Sequence, residues 1–487
     1  MPKLEIKQRP LLTRPESFQD VPSFIAEILA RRGVESQQEL ELKLKYLLAP
    51  SMKGLPEAIQ LIDAAIDAGQ KIVIVGDYDA DGATSTALML LALRDMGADV
   101  NYLVPDRFKY GYGLTPAIAD LAFASFTPDL LITVDNGISS HDGVKQAQDH
   151  GMQVIITDHH LTTKPTPAAE AVVNPNQLGC EFPSKALAGV GVAFYVLANL
   201  STHRKKLGKS STVITNYLDL VALGTYADVA SLDYNNRILV DAGLKRIQQH
   251  LCRPGISALL EIAGRDAATL KAQDLGFVLG PRINAAGRME TMDIGIECLL
   301  AKDLATAYPL AEQLNKLNVE RRQVEGKIKQ EALTELEKIQ LDEMELPAAL
   351  IMFEQHWHQG VIGIVAGRLK EQFHRPSIVF AADEDGIHIK GSARSIEGIH
   401  IRDAIERVAE QNPHIVSHFG GHAAAAGLTI KKAHFAEFKQ TFEQLIGSMD
   451  ESLFTATLWT DGELPASAFQ IDTVDLLHNL SPWGQKF

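Results

Sequence analysis

Three carboxylates, Asp77, Asp79 and Asp81, stand within five residues in the string VGDYDADGAT (75–84), directly after the apolar run KIVIV. Like charges this close repel one another, and the mouth of a buried strand desolvates them as well. Such crowding is tolerable when protons or a cation neutralise it. Other acidic positions follow apolar runs in the same way: LLITV leads into Asp135 in VDNG, and VIIT leads into Asp158, His159 and His160. Asp228, in GTYADVA, follows the helical stretch NYLDLVA and completes the set. Several Asp oxygens with one or two imidazoles suit Mn²⁺ or Mg²⁺ better than a structural zinc, and more than four ligands implies two ions. Two ions roughly 3.5–4 Å apart can activate a water and stabilise the leaving oxygen of a phosphoester, which makes phosphoester hydrolysis the leading chemistry. Taken singly, a DxD after a strand serves helix N-capping as well as metal binding, and a lone His is commonly a hydrogen-bonded structural residue. Repetition at successive strand ends is what points to a metal.

For these residues to meet, the strands that carry them must be neighbours. Between about 55 and 230, apolar runs (KIVIV, VNYLV, DLLITV, MQVIIT, AEAVV) alternate with helical stretches. That alternation predicts a parallel sheet covered on both faces, with ligands gathered beyond the carboxyl ends of the strands where strand order reverses. From 231 to 345 strand signals fade. Residues 311–340 place Leu314, Leu317, Val324, Ile328 and Leu333 at mostly helical spacing among many charges, which predicts a long connecting helix. A second, smaller α/β unit is expected from LPAALIMF (346–353) to about 448, followed by one more strand in ATLWTDGEL. The expected division is therefore an N-terminal segment 1–50, an α/β domain 51–230, a helical connector 231–345, a second domain 346–448 and a remainder 449–487.

Composition narrows the class. Of 487 residues 46% are hydrophobic and 22% charged, enough to bury real cores, and length alone suggests about three domains. A formal charge of −15 argues against a protein coated in nucleic acid, but it leaves room for a local basic groove. No run approaches a membrane span and the N-terminal stretch has no apolar signal segment, so the cytoplasm is expected. Cys180, Cys252 and Cys298 lie far apart with no CxxC pair, so a disulfide framework or zinc-thiolate site is not expected. LGKSS (207–211) ends like a P-loop, but the required earlier glycine would fall at His203. GVIGIVAG, with Gly360, Gly363 and Gly367, fits close helix packing better than a dinucleotide loop. His356 and His358 could share one strand face, and support between domains is expected of them before metal binding.

GDYDADG, VDNG, TDHH and GTYADVA, in that order, resemble the four successive motifs of the DHH phosphoesterase superfamily. The resemblance implies a two-metal, manganese-preferring phosphodiesterase domain joined by the connector to a DHH-associated substrate-binding domain. PDRFKYGYGL (105–114), GPRINAAGR (280–288), HWHQGVIGIVAGRL (356–369), GSARS (391–395) and GGHAAAAG (420–427) are similar to the superfamily's bacterial exonucleases specific for single strands, from about residue 50 onward. Carried over motif by motif, this makes Asp79, Asp81, Asp135, His159 and Asp228 metal ligands and catalytic residues, with His160 orienting the site or touching the scissile phosphate. Where many superfamily members have a histidine four residues before the middle Asp, this chain has Val75, and Asp77 is expected to take over that position.

Substrate contacts implied by the resemblance are Arg107, Tyr110 and Tyr112; Arg282, Asn284 and Arg288; and Ser392, Arg394, Gly420, Gly421 and His422. Arginine and glycine backbone suit phosphate, and tyrosines suit stacked bases. The plainer readings are packing for the tyrosines, interdomain ion pairs for the arginines, and helix packing for GGHAAAAG. The implied activity is 5′-to-3′ hydrolysis of single-stranded DNA to mononucleotides in recombination and repair, by a monomer working with a single-strand-binding protein and a helicase. Cleavage of oligoribonucleotides, cyclic dinucleotides or pyrophosphate is the alternative within enzymes. A non-catalytic scaffold is disfavoured because every acidic motif is intact. Relatives continue into an OB-fold, so 449–487, ending in SPWGQKF, is expected to be its incomplete beginning and the grip on long strands to be weak.

Overall fold

The computed structural model describes residues 4–19, 21–162, 164–343 and 346–487, except the side chains of 107, 108 and 338–343. It divides the chain into Pro10–Asn318 with Glu463–Phe487, and Val319–Gly462 with Met1–Arg9. Among the described residues no helix is long and apolar enough to cross a membrane.

After β1 (Leu4–Gln8), the larger unit is built on β2 (Lys71–Val75), β3 (Asp99–Leu103), β4 (Leu130–Val134), β5 (Gln153–Thr157) and β6 (Ala171–Val173). β-Branched runs form these strands because such side chains favour extended backbone and pack well on a pleated surface. All neighbours are parallel, in the order β3-β2-β4-β5-β6. Alternate residues serve opposite faces. Ile72, Ile74, Leu130, Ile132, Val134 and Ile155 join the core shared with helices Ala80–Asp95, Gly189–Lys206 and Leu218–Ala227. Val73, Val75, Leu131, Val154 and Ile156 pack under Pro116–Phe126 and His141–Asp149. Each fully buried aliphatic side chain contributes about 1.5–3 kcal/mol, so both layers hold the sheet against its helices. Strand order reverses between β2 and β4, and pairing of Val75 with Thr133 and of Val134 with Thr157 levels the ends of β2, β4 and β5. The acidic loops therefore emerge side by side at the switch point.

Within the expected connector, residues 231–318 belong to the larger unit. Ile238, Leu239, Ile256, Leu259, Ile283, Ile296 and Leu314 are buried in the core of the larger unit itself. Helical periodicity announces a helix but not which surface its stripe will cover. The helix Leu304–Glu343 alone runs on into the second unit, among the described residues. The LGKSS segment is structural: Lys209 Nζ donates to Asp63 Oδ2 at 2.7 Å, beside the buried Arg204 that also reaches Asp63 and Asp67.

The second unit has β7 (Leu350–Glu354), β8 (Ser377–Ala382), β9 (His388–Arg394), β10 (Val416–Gly421) and β11 (Ala425–Lys431), ordered β10-β11-β9-β8-β7. β7 and β8 are parallel and the other pairs antiparallel. Ile378, Phe380, Ile389, Ala393, Leu428 and Ile430 pack against helices Ile401–Gln411 and Phe435–Gly447. His356 and Trp357 both bind Glu331 Oε2 at 2.8 Å, and His358 Nδ1 accepts from Gly360 N at 3.1 Å to cap the helix Gln359–Phe373. His356 and Trp357 thus fasten the loop after β7 to the long helix. Of residues 449–487, β12 (Ala456–Thr460) pairs in parallel with β1, and the chain then returns to the larger unit. There Leu232 N donates to Gln485 O at 2.9 Å, and the Arg237 guanidinium lies 3.8 Å over the Phe487 ring.

The helix Leu218–Ala227 ends with Asp228 as its C-cap and Val229 at φ 58°. Val229 N donates to Tyr226 O and Ala230 N to Thr225 O, the Schellman pattern that normally takes glycine at this position. A β-branched residue in left-handed backbone is strained. Val229→Gly is therefore expected to stabilise the protein by about 1 kcal/mol in chemical denaturation. An unchanged or lower midpoint would remove the strain argument.

Candidate metal centre

Asp79 caps the helix Ala80–Asp95, its Oδ1 accepting from Gly82 N at 2.9 Å. The capping reading and the ligand reading are thus compatible, because one oxygen of the carboxylate serves the helix. Asp81, in the first turn, accepts from Gly189 N at 2.6 Å and Val190 N at 2.9 Å. Those amides open the helix Gly189–Lys206, whose N-terminal dipole favours an anion. Asp135 follows β4 with φ 61°, a left-handed conformation that a non-glycine residue holds only when its surroundings impose it. Gly189 makes room for it: a Cβ there would lie 2.7 Å from Asp135 Cβ and 2.8 Å from its Oδ1.

After β5, Asp158 folds back on its own turn. Its Oδ1 accepts from His159 N at 2.7 Å and His160 N at 3.0 Å and lies 2.7 Å from His160 Nδ1, while Oδ2 accepts from Ile138 N at 2.8 Å. Burial opposes the charge of both partners in the Asp158–His160 pair, but their hydrogen bond and mutual attraction outweigh it. The Asp158 carboxyl is held at about 2 and the His160 imidazole raised to about 9. His159 behaves oppositely. Burial, and then the charge of His160, lower it to about 4, leaving the neutral imidazole a metal requires.

His159 Nε2 lies 3.0 Å from Asp135 Oδ1 and 3.9 Å from both Asp81 Oδ2 and Asp228 Oδ2. Asp135 Oδ1 and His159 Nε2 are buried and, among the described residues, have no hydrogen-bond partner. Ligand atoms of Asp77, Asp79 and Asp135 fall within 4.8 Å of one another, as do those of Asp81, His159 and Asp228, and of Asp135, His159 and His160. Burial first, then the Asp79 charge, push Asp81 up to about 7, and burial with the Asp81 charge pushes Asp135 and Asp228 well above the usual carboxylate range. Orphaned polar atoms, excess negative charge and a mixed oxygen and imidazole donor set all fit divalent cations. Val75 is 1% exposed and belongs to the apolar layer under Pro116–Phe126, whereas Asp77 stands in a triad.

Neutral side chains hold these loops, and the sequence reading did not single them out for it. Asn136 Nδ2 donates to Val75 O at 3.1 Å and Val134 O at 2.8 Å, tying the ends of β2 and β4. Beyond β6, Asn174 Nδ2 donates to His160 O at 3.0 Å and Asn176 Nδ2 to His159 O at 2.6 Å. The available signal was NPN directly after a strand, opposite TDHH. Asn284, expected on substrate, accepts from Ala80 N at 2.7 Å, so its side-chain oxygen also serves the acidic loop. Gly287 lies so close to that loop that a Cβ would come within 2.0 Å of Tyr78 O. The GPRINAAGR helix (Gly280–Met289) is thus a buttress for the metal loop. On it, Arg282 donates to Asn315 Oδ1 at 3.1 Å and Val278 O at 2.6 Å, and Arg288 is half-buried.

Tyr112 reaches the centre. Its hydroxyl donates to Asp135 O at 3.3 Å and lies 3.3 Å from the His160 ring nitrogens, with edge-on rings from Tyr78 and His160. Tyr110 is partly buried against the apolar layer. The Arg107 side chain lies outside the described residues. In the second unit Ser392 and Arg394 share one face of β9, 3.2 Å apart, where Gly363 leaves them space. GGHAAAAG is the β10–β11 hairpin and not a helix, closed by His422 N donating to Ala425 O at 2.8 Å. Gly420, Gly427 and Ser392 are in register across three strands, with Gly421 beside them.

Residues 71–225 match the DHH family, N-terminal domain, and residues 346–448 match the DHHA1 domain. Over 492 residues the chain is 48% identical to the single-stranded-DNA-specific exonuclease RecJ of Dickeya dadantii (strain 3937), covering 99% of this chain and 85% of that protein. The chain belongs to the RecJ family. The Escherichia coli (strain K12) RecJ is 46% identical, with 100% of this chain and 85% of that protein covered. The crystal structure of RecJ in complex with Mn²⁺ from Thermus thermophilus superposes with a TM-score of 0.84 at 31% identity, covering 99% of this chain and 68% of that one. RecJ membership accounts for the order of the acidic motifs and for the second α/β domain.

Gly189→Ala should drive its new methyl into Asp135 and weaken Mn²⁺ binding by about tenfold or more, the scale seen when the support of a metal ligand is lost. Calorimetric titration with Mn²⁺, alongside a thermal melt to verify folding, provides the check. Wild-type affinity would mean that the Asp135 position does not depend on that contact.

Proposed function

We propose that this chain is a metal-dependent exonuclease that hydrolyses single-stranded DNA, as the names of its RecJ relatives describe for those proteins. The observation that carries the reading is the buried meeting of Asp81, Asp135, Asp228 and His159, with Asp135 Oδ1 and His159 Nε2 3.0 Å apart and otherwise unpartnered. Asp79, Asp135 and Asp77 would hold one Mn²⁺ or Mg²⁺ and Asp81, His159 and Asp228 a second, consistent with RecJ of Thermus thermophilus having been solved with each ion. Bound there, the ions supply Lewis acidity toward the phosphate and lower the pKa of a water.

The protein's own groups do the rest. Asp135, adjacent to both triads, fixes their spacing through its strained backbone. His160, kept cationic by Asp158, is placed to hold a phosphate oxygen or to give a proton to the departing ester oxygen. Tyr112 beside it offers an aromatic face to a base. Ser392, Arg394 and the glycine row of β9–β11 suit a phosphodiester backbone, Arg394 by charge and the glycines by letting amides approach. We take Arg282, Arg288 and Arg107 as further backbone contacts and His422 as a phosphate contact. The family resemblance supports 5′-to-3′ direction, mononucleotide products, a role in recombination and repair, and a cytoplasmic monomer served by a single-strand-binding protein and a helicase.

The test uses purified protein with Mn²⁺ on end-labelled single-stranded DNA, duplex DNA and a cyclic dinucleotide. Single strands should be shortened to mononucleotides from the 5′ end, with the duplex resistant and chelation by EDTA abolishing turnover. Asp135→Asn should lower kcat by on the order of 10³-fold, equivalent to about 4 kcal/mol of transition-state stabilisation. Preference for the cyclic dinucleotide, or full activity in Asp135→Asn, would overturn the reading.

A further inference from the structure

Between β6 and the helix Gly189–Lys206, residues 174–188 form a loop that reaches the metal centre from both of its ends. At its start, Asn174 Nδ2 donates to His160 O at 3.0 Å and Asn176 Nδ2 to His159 O at 2.6 Å. At its end the Leu187 backbone meets the His159 ring, and the amides of Gly189 and Val190 hold Asp81. His159 and Asp81 belong to one triad, with Asp228. Asp77 and Asp79, in another triad, accept instead from Tyr78 N and Gly82 N within their own turn. The second half of the loop is anchored to the body of the unit: Phe182 is buried, Ser184 Oγ donates to Asp233 Oδ2 at 2.6 Å, and Ala186 O accepts from Asn236 Nδ2 at 2.6 Å. Gln177 ties the first half to Val172 O and Lys53 O.

Lys185 joins the halves. Its Nζ donates to Pro175 O at 2.7 Å and Cys180 O at 2.8 Å, while its own carbonyl accepts from Asn176 Nδ2 at 3.3 Å. Asn176 is thereby gripped on two sides, with the N–H groups of its amide shared between His159 O and Lys185 O. An exposed lysine normally leaves its ammonium in water, and immobilising so flexible a side chain costs entropy. Here that charge is turned onto carbonyls, where it fixes backbone. We propose that Lys185 is a positioning residue of the metal centre: by clasping Pro175 and Cys180 it holds Asn176 against His159, and so sets the affinity of one ion of the two, the one that Asp81, His159 and Asp228 would bind. The proposal rests on the two-ion reading and adds to it a residue that acts on a ligand through another side chain.

The experiment titrates Mn²⁺ calorimetrically into the full chain, with thermal melts in the absence of metal, for wild type, Lys185→Met, Lys185→Arg, Asn176→Ala and the double variant Lys185→Met with Asn176→Ala. Methionine keeps the stem and removes the donors. Lys185→Met should weaken one of the two Mn²⁺ by about tenfold, the low end of the effect when the support of a ligand is lost, and leave the other unchanged. Lys185→Arg still donates to carbonyls and should restore most of the affinity. The double variant should bind no more weakly than Asn176→Ala alone, the non-additivity expected of groups that act in series. In turnover, the Mn²⁺ concentration giving half the maximal rate should rise by the same factor in Lys185→Met while kcat at saturating Mn²⁺ is kept. The melting temperature should stay at the wild-type value, because Lys185 is exposed. Unchanged Mn²⁺ affinity in Lys185→Met, or equal loss at both ions, would overturn the assignment. So would a Lys185→Met chain that melts early or does not fold, since the lysine would then only stabilise the loop. A wild type that binds one Mn²⁺ or none would instead refute the two-ion reading.

Discussion

The structure depends on a repulsion. Asp77, Asp79, Asp81, Asp135 and Asp228 are brought to the ends of adjacent elements, mostly out of water, where burial and mutual charge push several of them well above the ordinary carboxylate range. The two imidazoles relieve only part of this: His159 is neutral, and the charge of His160, paired with Asp158, lowers Asp81 and Asp228 without offsetting their burial. Divalent cations resolve it, and a fold that keeps the carboxylates together before the cations arrive must stabilise them by other means. Part of that comes from the amides opening the helix Gly189–Lys206, which hold Asp81, and part from the cap that Asp79 makes on its own helix.

The remaining support is neutral. Asn136, Asn174, Asn176 and Asn284 each fix a backbone group of a metal-bearing loop, and none of them adds charge. Neutral amides are suited to this position, because an arginine or lysine so close would compete with the metal for the same carboxylate oxygens. The cost of the arrangement is visible in backbone strain at Asp135, and in Val229 directly after Asp228. Strain at Asp135 accords with an end of β4 set by the site, while the left-handed Val229 closes its helix in the Schellman pattern.

Much of the centre was legible in the sequence because its signals are local. An acidic residue after a β-branched run needs only a few adjacent positions to be recognised, and parallel pairing then aligns the strand ends through the register of β2, β4 and β5. What was not legible is non-local. Ala80 and Asn284 meet across 204 positions and Asp81 and Gly189 across 108, and no pattern at either end announces the other. The same limit applies to residues 231–318. Fading strand signals from 231 suggested helices, but burial of Ile238, Leu259 and Ile283 in the core of the larger unit is a property of the surface they meet. GGHAAAAG likewise reads as small residues for packing, and only the pairing of β10 with β11 makes it a hairpin.

The paired histidines condense the logic. His159 and His160 are adjacent, with ring centroids 4.5 Å apart, yet one is held neutral and the other charged. The difference comes from which ring faces Asp158. His160 turns Nδ1 onto that carboxylate, and its positive charge then helps to suppress protonation of His159. Burial does most to keep His159 free of a proton, and the charge that Asp158 maintains on His160 adds to it, against the direct pull of Asp158 itself. Asp135, whose Oδ1 lies 3.0 Å from His159 Nε2, does not reverse this, because burial and the Asp81 charge push its own carboxyl well above the usual range. Asn176 holds the His159 carbonyl without adding charge, which preserves the balance. The motif reads as three polar residues in a row, but its chemistry is a division of labour that requires the first to be buried and turned inward, which the end of β5 provides.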